Sequence, residues 1–194
     1  VLPKGIKLTL SGAAGDLTKT WNTMKLNLLV ALVIVYLVLA VLFESLLFPL
    51  IILFSVPLAT AGGVAGLRLL NTSVAQPLDM MTMLGFVILI GIVVNNAILL
   101  VDQTLQHLRQ DGLAPREAIL AATRSRMRPI FMSTLTSVFG LLPLVIFSGA
   151  GSELYRGLGS VVVGGLTLSA LLTLAIIPLL LAVLLKPSVK PELG

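Results

Sequence analysis

Five stretches of the chain carry no charged side chain and are long enough to cross a bilayer, which leaves little room for any fold but one. A helix needs about 20 apolar residues to span roughly 30 Å of hydrocarbon. The uncharged intervals run over 26–43, 45–67, 80–101, 129–152 and 157–185, and are called spans A to E. Inside lipid every backbone N–H and C=O must bond within the protein, so apolar runs of this length form helices. The composition agrees: 57% of the 194 residues are hydrophobic and 11% charged, against about 25% charged in soluble domains. The expected fold is an all-α membrane protein, a bundle of five transmembrane helices with a short cytoplasmic surface helix.

The connections set the order. Between A and B stand only Glu44, Ser45 and the approach to Pro49, which forces an antiparallel hairpin. Residues 71–79 form a polar loop between B and C, and Ser148-Gly149-Ala150-Gly151-Ser152 turns D into E. The long polar stretch 102–128 separates C from D. Pro115-Arg116-Glu117-Ala118 opens an Ala-rich helix there, at about 115–125. Residues 1–25 are not apolar; residues 1–12 alternate weakly, like an edge strand followed by a glycine turn. They are expected to be the end of a periplasmic domain and its lead-in, with 26–186 the helical domain and 187–194 a cytoplasmic tail. A start at Val1 without Met suggests a fragment or a processed chain.

Charge sets orientation, because Lys and Arg favour the cytoplasmic side. Arg109, Arg116, Arg124, Arg126 and Arg128 lie in or beside the C–D stretch, and Lys186 and Lys190 in the tail. That makes loop and tail cytoplasmic and the N-terminus periplasmic. The opposite side holds Arg68, Arg156 and four Lys in the first 25 residues, a bias of 7 to 6. A net charge of +5 on so apolar a chain reflects loop topology and not nucleic acid binding, which needs a clustered basic face. Cys is absent and His107 is the single histidine, so thiolate and histidine-cluster metal sites are excluded. There is no Gly-x-Ser-x-Gly elbow, phosphate loop or zinc motif, and an enzyme or ATP-driven pump finds no support.

The residues that could carry chemistry are polar groups inside spans. Asn95 and Asn96 lie within span C, where unpaired amides are costly. At 1.5 Å per residue Asn95 is about 10 Å from Asp102, and their spacing puts both on one helix face with Gly91. Asn96 points about 100° away. Such groups either pack helices together by hydrogen bonds or line a transport pathway. Ser133 and Thr134 begin span D. If C and D are antiparallel neighbours they lie near the depth of Asn95, although Ser and Thr in spans often bond a carbonyl one turn back. Arg126 and Arg128 read as membrane anchors or as functional cations, Glu44 as an interfacial group, and His107 as a solvated imidazole. Asp79 and Asp102 are about 34 Å apart along span C and cannot work as a pair.

Several stretches, taken in order, resemble the resistance-nodulation-division efflux permeases of the hydrophobe and multidrug exporting branch. They are Leu42-Phe43-Glu44-Ser45 with Pro49 and Val56-Pro57-Leu58, the run from Gly91 through Asn95-Asn96-Ala97-Ile98-Leu99 to Asp102, Arg126-Met127-Arg128-Pro129-Ile130, and Gly140-Leu141-Leu142-Pro143-Leu144 with Gly149-Ala150-Gly151. The resemblance implies that the spans are the last five of twelve. It implies a homotrimer in the bacterial inner membrane that works with the N-terminal half of the same permease, a periplasmic adaptor and an outer-membrane channel. It implies export of drugs or other amphiphiles by proton antiport, driven by the proton-motive force with no bound cofactor. Coupling in the family uses two Asp in the N-terminal half; the matching partners here are Asn95, Arg126 and Ser133, with Asn96 and Thr134 adjacent. Well-studied drug pumps carry Lys where Asn95 stands, and Asn cannot switch an ion pair. The competing reading is a noncatalytic accessory subunit, a helix bundle for protein export or assembly, in which the same polar groups only pack helices.

Overall fold

The structure, a computed structural model, describes residues 13–73, 78–147, 149 and 151–185. It is helical, with the order α1 (Ala13–Phe43), α2 (Leu47–Leu53), α3 (Ser55–Asn71), α4 (Met80–Arg109), α5 (Pro115–Ile146) and α6 (Ser152–Leu184). By length and composition these supply five candidate membrane spans, α2 and α3 together making one. The bundle is the all-α membrane fold expected from the apolar intervals.

Several boundaries differ from the uncharged intervals, each for a local reason. Helix α1 begins at Ala13 and not near Leu26, since residues 13–25 contain no proline and a polar helix can extend out of the bilayer. The edge strand expected over 1–12 and the tail expected over 187–194 lie outside the described residues. Span B is broken at Phe54. Pro57 has no N–H to offer the Leu53 carbonyl, and the turn tightens so that the Phe54 N–H is shared between Leu50 O at 3.0 Å and Ile51 O at 3.2 Å. The short surface helix at 115–125 and span D are one continuous helix, α5, which runs through Pro129 and Pro143. Each proline removes a single backbone bond, and both lie at exposed positions of the helix.

The turns are specific. Glu44 adopts φ 51° between α1 and α2, and the Tyr36 hydroxyl donates to Leu46 O at 3.1 Å to close that hairpin. Asp79 caps α4, its Oδ1 accepting from the Thr82 N–H at 2.8 Å and the Thr82 hydroxyl at 2.7 Å. Gly112, at φ 64°, reverses the chain after α4.

Helix α6 is the centre of the bundle and packs on α3, α4 and α5, whereas α1 touches mainly α2 and the edge of α4. Where α3 crosses α6 the two backbones meet. A Cβ on Gly164 would lie 2.5 Å from Gly66 Cα, and one on Gly66 would lie 2.6 Å from Ser160 O. The Ser160 hydroxyl donates to Gly66 O across this contact at 2.9 Å. Small residues at a membrane helix crossing serve this close approach. Around it Ala59, Leu89, Val93, Val161, Val162 and Leu166 form one apolar core. A second core, with Phe43, Ile52, Val94, Leu100, Ile119, Ile177 and Leu181, joins the far ends of the helices.

Gly164→Ala is expected to destabilise the protein by about 1–3 kcal/mol, because the added carbon meets backbone and not a movable side chain. Thermal unfolding of the purified full-length protein in detergent measures it, and an unchanged midpoint contradicts the close crossing.

Candidate functional site

The polar groups singled out from the sequence lie on two antiparallel neighbours, α4 and α5, and one hydrogen bond sets their register. Arg126 Nη2 of α5 donates to Gln103 Oε1 of α4 at 2.9 Å. Asn96 is seven residues before Gln103 and Ser133 seven after Arg126. Each is therefore about 10 Å deeper and near the same side of its helix. Asn96 and Ser133 are thus level, and Asn95 stands beside Asn96.

Their surroundings differ. Asn95 is exposed on a face of α4 that also presents Gly91 and Asp102, while Asn96 is half-buried. A Cβ added at Gly91 or at Gly140 would meet nothing within 4 Å. Ser133 is exposed, and its hydroxyl bonds back to Ile130 O at 3.1 Å. Thr136 and Gly140 continue the exposed face of α5. Thr134 points the other way, buried against the bundle at 6% exposure. The structure brings Asn95, Asn96 and Ser133 to one depth and leaves Thr134 on a different side of its helix. Arg126 sits at the loop end of the same line, its Nε buried and without a hydrogen-bond partner among the described residues.

The open face is as informative as its residues. Inside lipid, amides and hydroxyls on an uncovered helix face are unfavourable unless other helices or water meet them. The bundle of described residues covers the opposite side of α4, where Leu89, Val93, Ala97 and Leu100 are buried.

One group was not anticipated. His107 is not a freely solvated imidazole: its Nδ1 is 2.6 Å from Asp111 Oδ2 and its Nε2 is 3.3 Å from Gln103 Nε2. Gln103, His107 and Asp111 follow one another at intervals of four, the one signal in the sequence that could have placed them together. Among the described residues no group of three His, Cys, Asp or Glu is arranged to hold a metal ion.

The sequence profile of the AcrB/AcrD/AcrF family matches residues 1–185. The chain belongs to this family. The family is of the resistance-nodulation-division type that the motifs resemble, and the described residues form five helices long and apolar enough to cross a membrane. This family member is similar to the multidrug resistance protein MdtC of Erwinia amylovora, 42% identical over 191 residues that cover 98% of this chain and 18% of the relative. It is also 42% identical to the MdtC proteins of Salmonella paratyphi A and Salmonella typhimurium over 177 residues, 91% of this chain and 17% of theirs. The chain spans less than a fifth of the length of the curated relatives it matches.

In this family member a double-mutant cycle of Gln103→Ala and Arg126→Ala is expected to give a coupling of about 1 kcal/mol or more, the worth of a hydrogen bond to a charged group. Stability of the full-length protein against denaturant reads it; additive single mutants would mean that the bond does not hold α4 to α5.

Proposed function

We propose that this chain is the second-half membrane part of a proton-driven permease that exports drugs or other amphiphiles by proton antiport. The observation that carries the reading is the uncovered face of α4 and α5, on which Gly91, Asn95, Asp102, Ser133, Thr136 and Gly140 are exposed. A chain covering under a fifth of its relatives leaves ample sequence for the helices that would meet that face.

In this reading the N-terminal half of the same permease brings a carboxylate pair to Asn95, and the line from Asn95 and Asn96 through Ser133 to Arg126 relays the change of protonation. Asn95 hydrogen-bonds the carboxylates and does not form an ion pair, since an amide has no charge to switch. Arg126 supplies the fixed positive charge at the loop end of the line. Thr134, buried on another side of α5, serves the relay only through packing. The energy source is the proton-motive force, with no bound cofactor. The assembled pump is a homotrimer that works with a periplasmic adaptor and an outer-membrane channel. The N-terminus is periplasmic; the α4–α5 loop and the C-terminus are cytoplasmic. Names carried by the relatives, multidrug resistance proteins, support the exported class.

Asn95→Leu in the full-length pump is expected to lower substrate efflux by at least tenfold, with trimer assembly by gel filtration unchanged; undiminished efflux would sink the relay. The orientation has its own test. Arg116→Cys, at an exposed position in a chain without native cysteine, is expected to react with a membrane-impermeant maleimide in inside-out vesicles and not in intact cells made permeable only at the outer membrane.

A further inference from the structure

We infer that Gln103 and His107 are positioning residues for Arg126, which hold its guanidinium against α4 while the imidazole is neutral and release it when the imidazole takes a second proton. The inference rests on the reading of Arg126 as part of the relay for its meaning, but not for its chemistry.

The chain of bonds has a polarity that admits one arrangement. A guanidinium only donates, so the atom of Gln103 that lies 2.9 Å from Arg126 Nη2 is the amide oxygen. The amide nitrogen then faces His107 Nε2 at 3.3 Å. An NH2 group only donates, so Nε2 accepts and carries no proton. The proton of the neutral ring is on Nδ1, where it is given to Asp111 Oδ2 at 2.6 Å. Gly112, with φ 64°, turns the chain just after α4, and the Leu113 N–H closes on His107 O at 3.3 Å. Asp111 meets the ring by its i,i+4 spacing from His107.

A second proton breaks the pattern at one point. Nε2–H and the Gln103 NH2 are both donors, and the amide must turn over to offer its oxygen to the ring. Its NH2 then faces the guanidinium, and Arg126 loses its acceptor. Among the described residues Gln103 is the only side chain to which Arg126 is hydrogen-bonded, and its Nε is already buried without a partner. The release therefore leaves the guanidinium free to turn toward whatever covers the open face. Among the described residues no other acid bonds the ring. Of the other charges at this end, Arg116, Glu117, Arg124 and Arg128 of α5 and Glu44 before α2 are exposed. Asp102 and Arg109 line a separate hollow on α4 with Leu42 and Phe43. Residues 157–185 of α6 and its end contain no titratable side chain.

The test is arginine modification of the purified full-length permease by phenylglyoxal, resolved by residue with mass spectrometry. The reaction at Arg126 is divided by that at the exposed Arg124 and Arg128, which removes the reagent's own pH dependence. As pH falls from about 8 to 6, the ratio is expected to rise about tenfold, as loss of one charge-assisted hydrogen bond allows. In His107→Gln, whose amide can accept from Gln103 but cannot take the charge, the ratio stays low and flat. In Gln103→Glu, whose carboxylate keeps accepting from Arg126, it also stays low and flat; in Gln103→Leu it is high and flat. A flat ratio in the wild-type protein, or a His107→Gln curve that overlays it, overturns the inference. Efflux by Arg126→Ala is measured alongside. A pump that works without Arg126 sinks its part in the relay and leaves the latch standing, whereas labelling that ignores His107 sinks the latch and leaves the relay standing.

Discussion

The bundle depends on two helix backbones touching. Between membrane helices there is no hydrophobic drive to separate protein from solvent, because lipid tails are as apolar as Leu. What remains is close packing and the hydrogen bonds it permits. At the α3–α6 crossing Gly66 and Gly164 remove the side chains that would keep the helices apart, and Ser160 donates to the Gly66 carbonyl across the gap. With α3 seated this closely, α6 becomes a central post against which α4 and α5 also pack.

That post determines which sides of α4 and α5 are used up. On α4 the residues Leu89, Val93, Ala97 and Leu100 turn inward, so the helix period carries Gly91, Asn95 and Asp102 outward. On α5 Ile130 and Thr134 turn inward, and Ser133, Thr136 and Gly140 face out. The polar face is thus the by-product of apolar packing on the other side. The Arg126–Gln103 bond then aligns the two helices lengthwise, and places Asn96 and Ser133 at one depth. Function in this reading comes from a surface that the bundle itself leaves unmet.

Much of this was legible in the residues, and the exceptions share a cause. The uncharged intervals located all five candidate spans, because the cost of burying charge in lipid is local and large. Breaks were harder: Pro57 ends α2 at Phe54, whereas Pro129 and Pro143 leave α5 continuous. A proline removes the same bond in each case and all three are exposed, so the residue type alone does not tell a break from a continuous helix. Ser133 and Thr134, adjacent in the chain and equal in chemistry, were read as one polar pair; packing against the bundle separated them. His107, which reads as a solvated imidazole, lies in the last turn of α4 four residues before Asp111 and meets its carboxylate.

The sequence by itself determined that the chain is a five-span helical membrane protein, and its ordered motifs determined the family. Both follow from terms that act within a segment, the transfer of apolar residues into lipid and the obligatory backbone bonding that comes with it. Only the tertiary structure decided which faces of α4 and α5 stay open, which polar groups share a depth and which side chain holds Arg126. Those depend on the crossing of α3 on α6 and on one interhelix hydrogen bond, between residues separated by 94 and by 23 positions. No pattern within a single helix contains them.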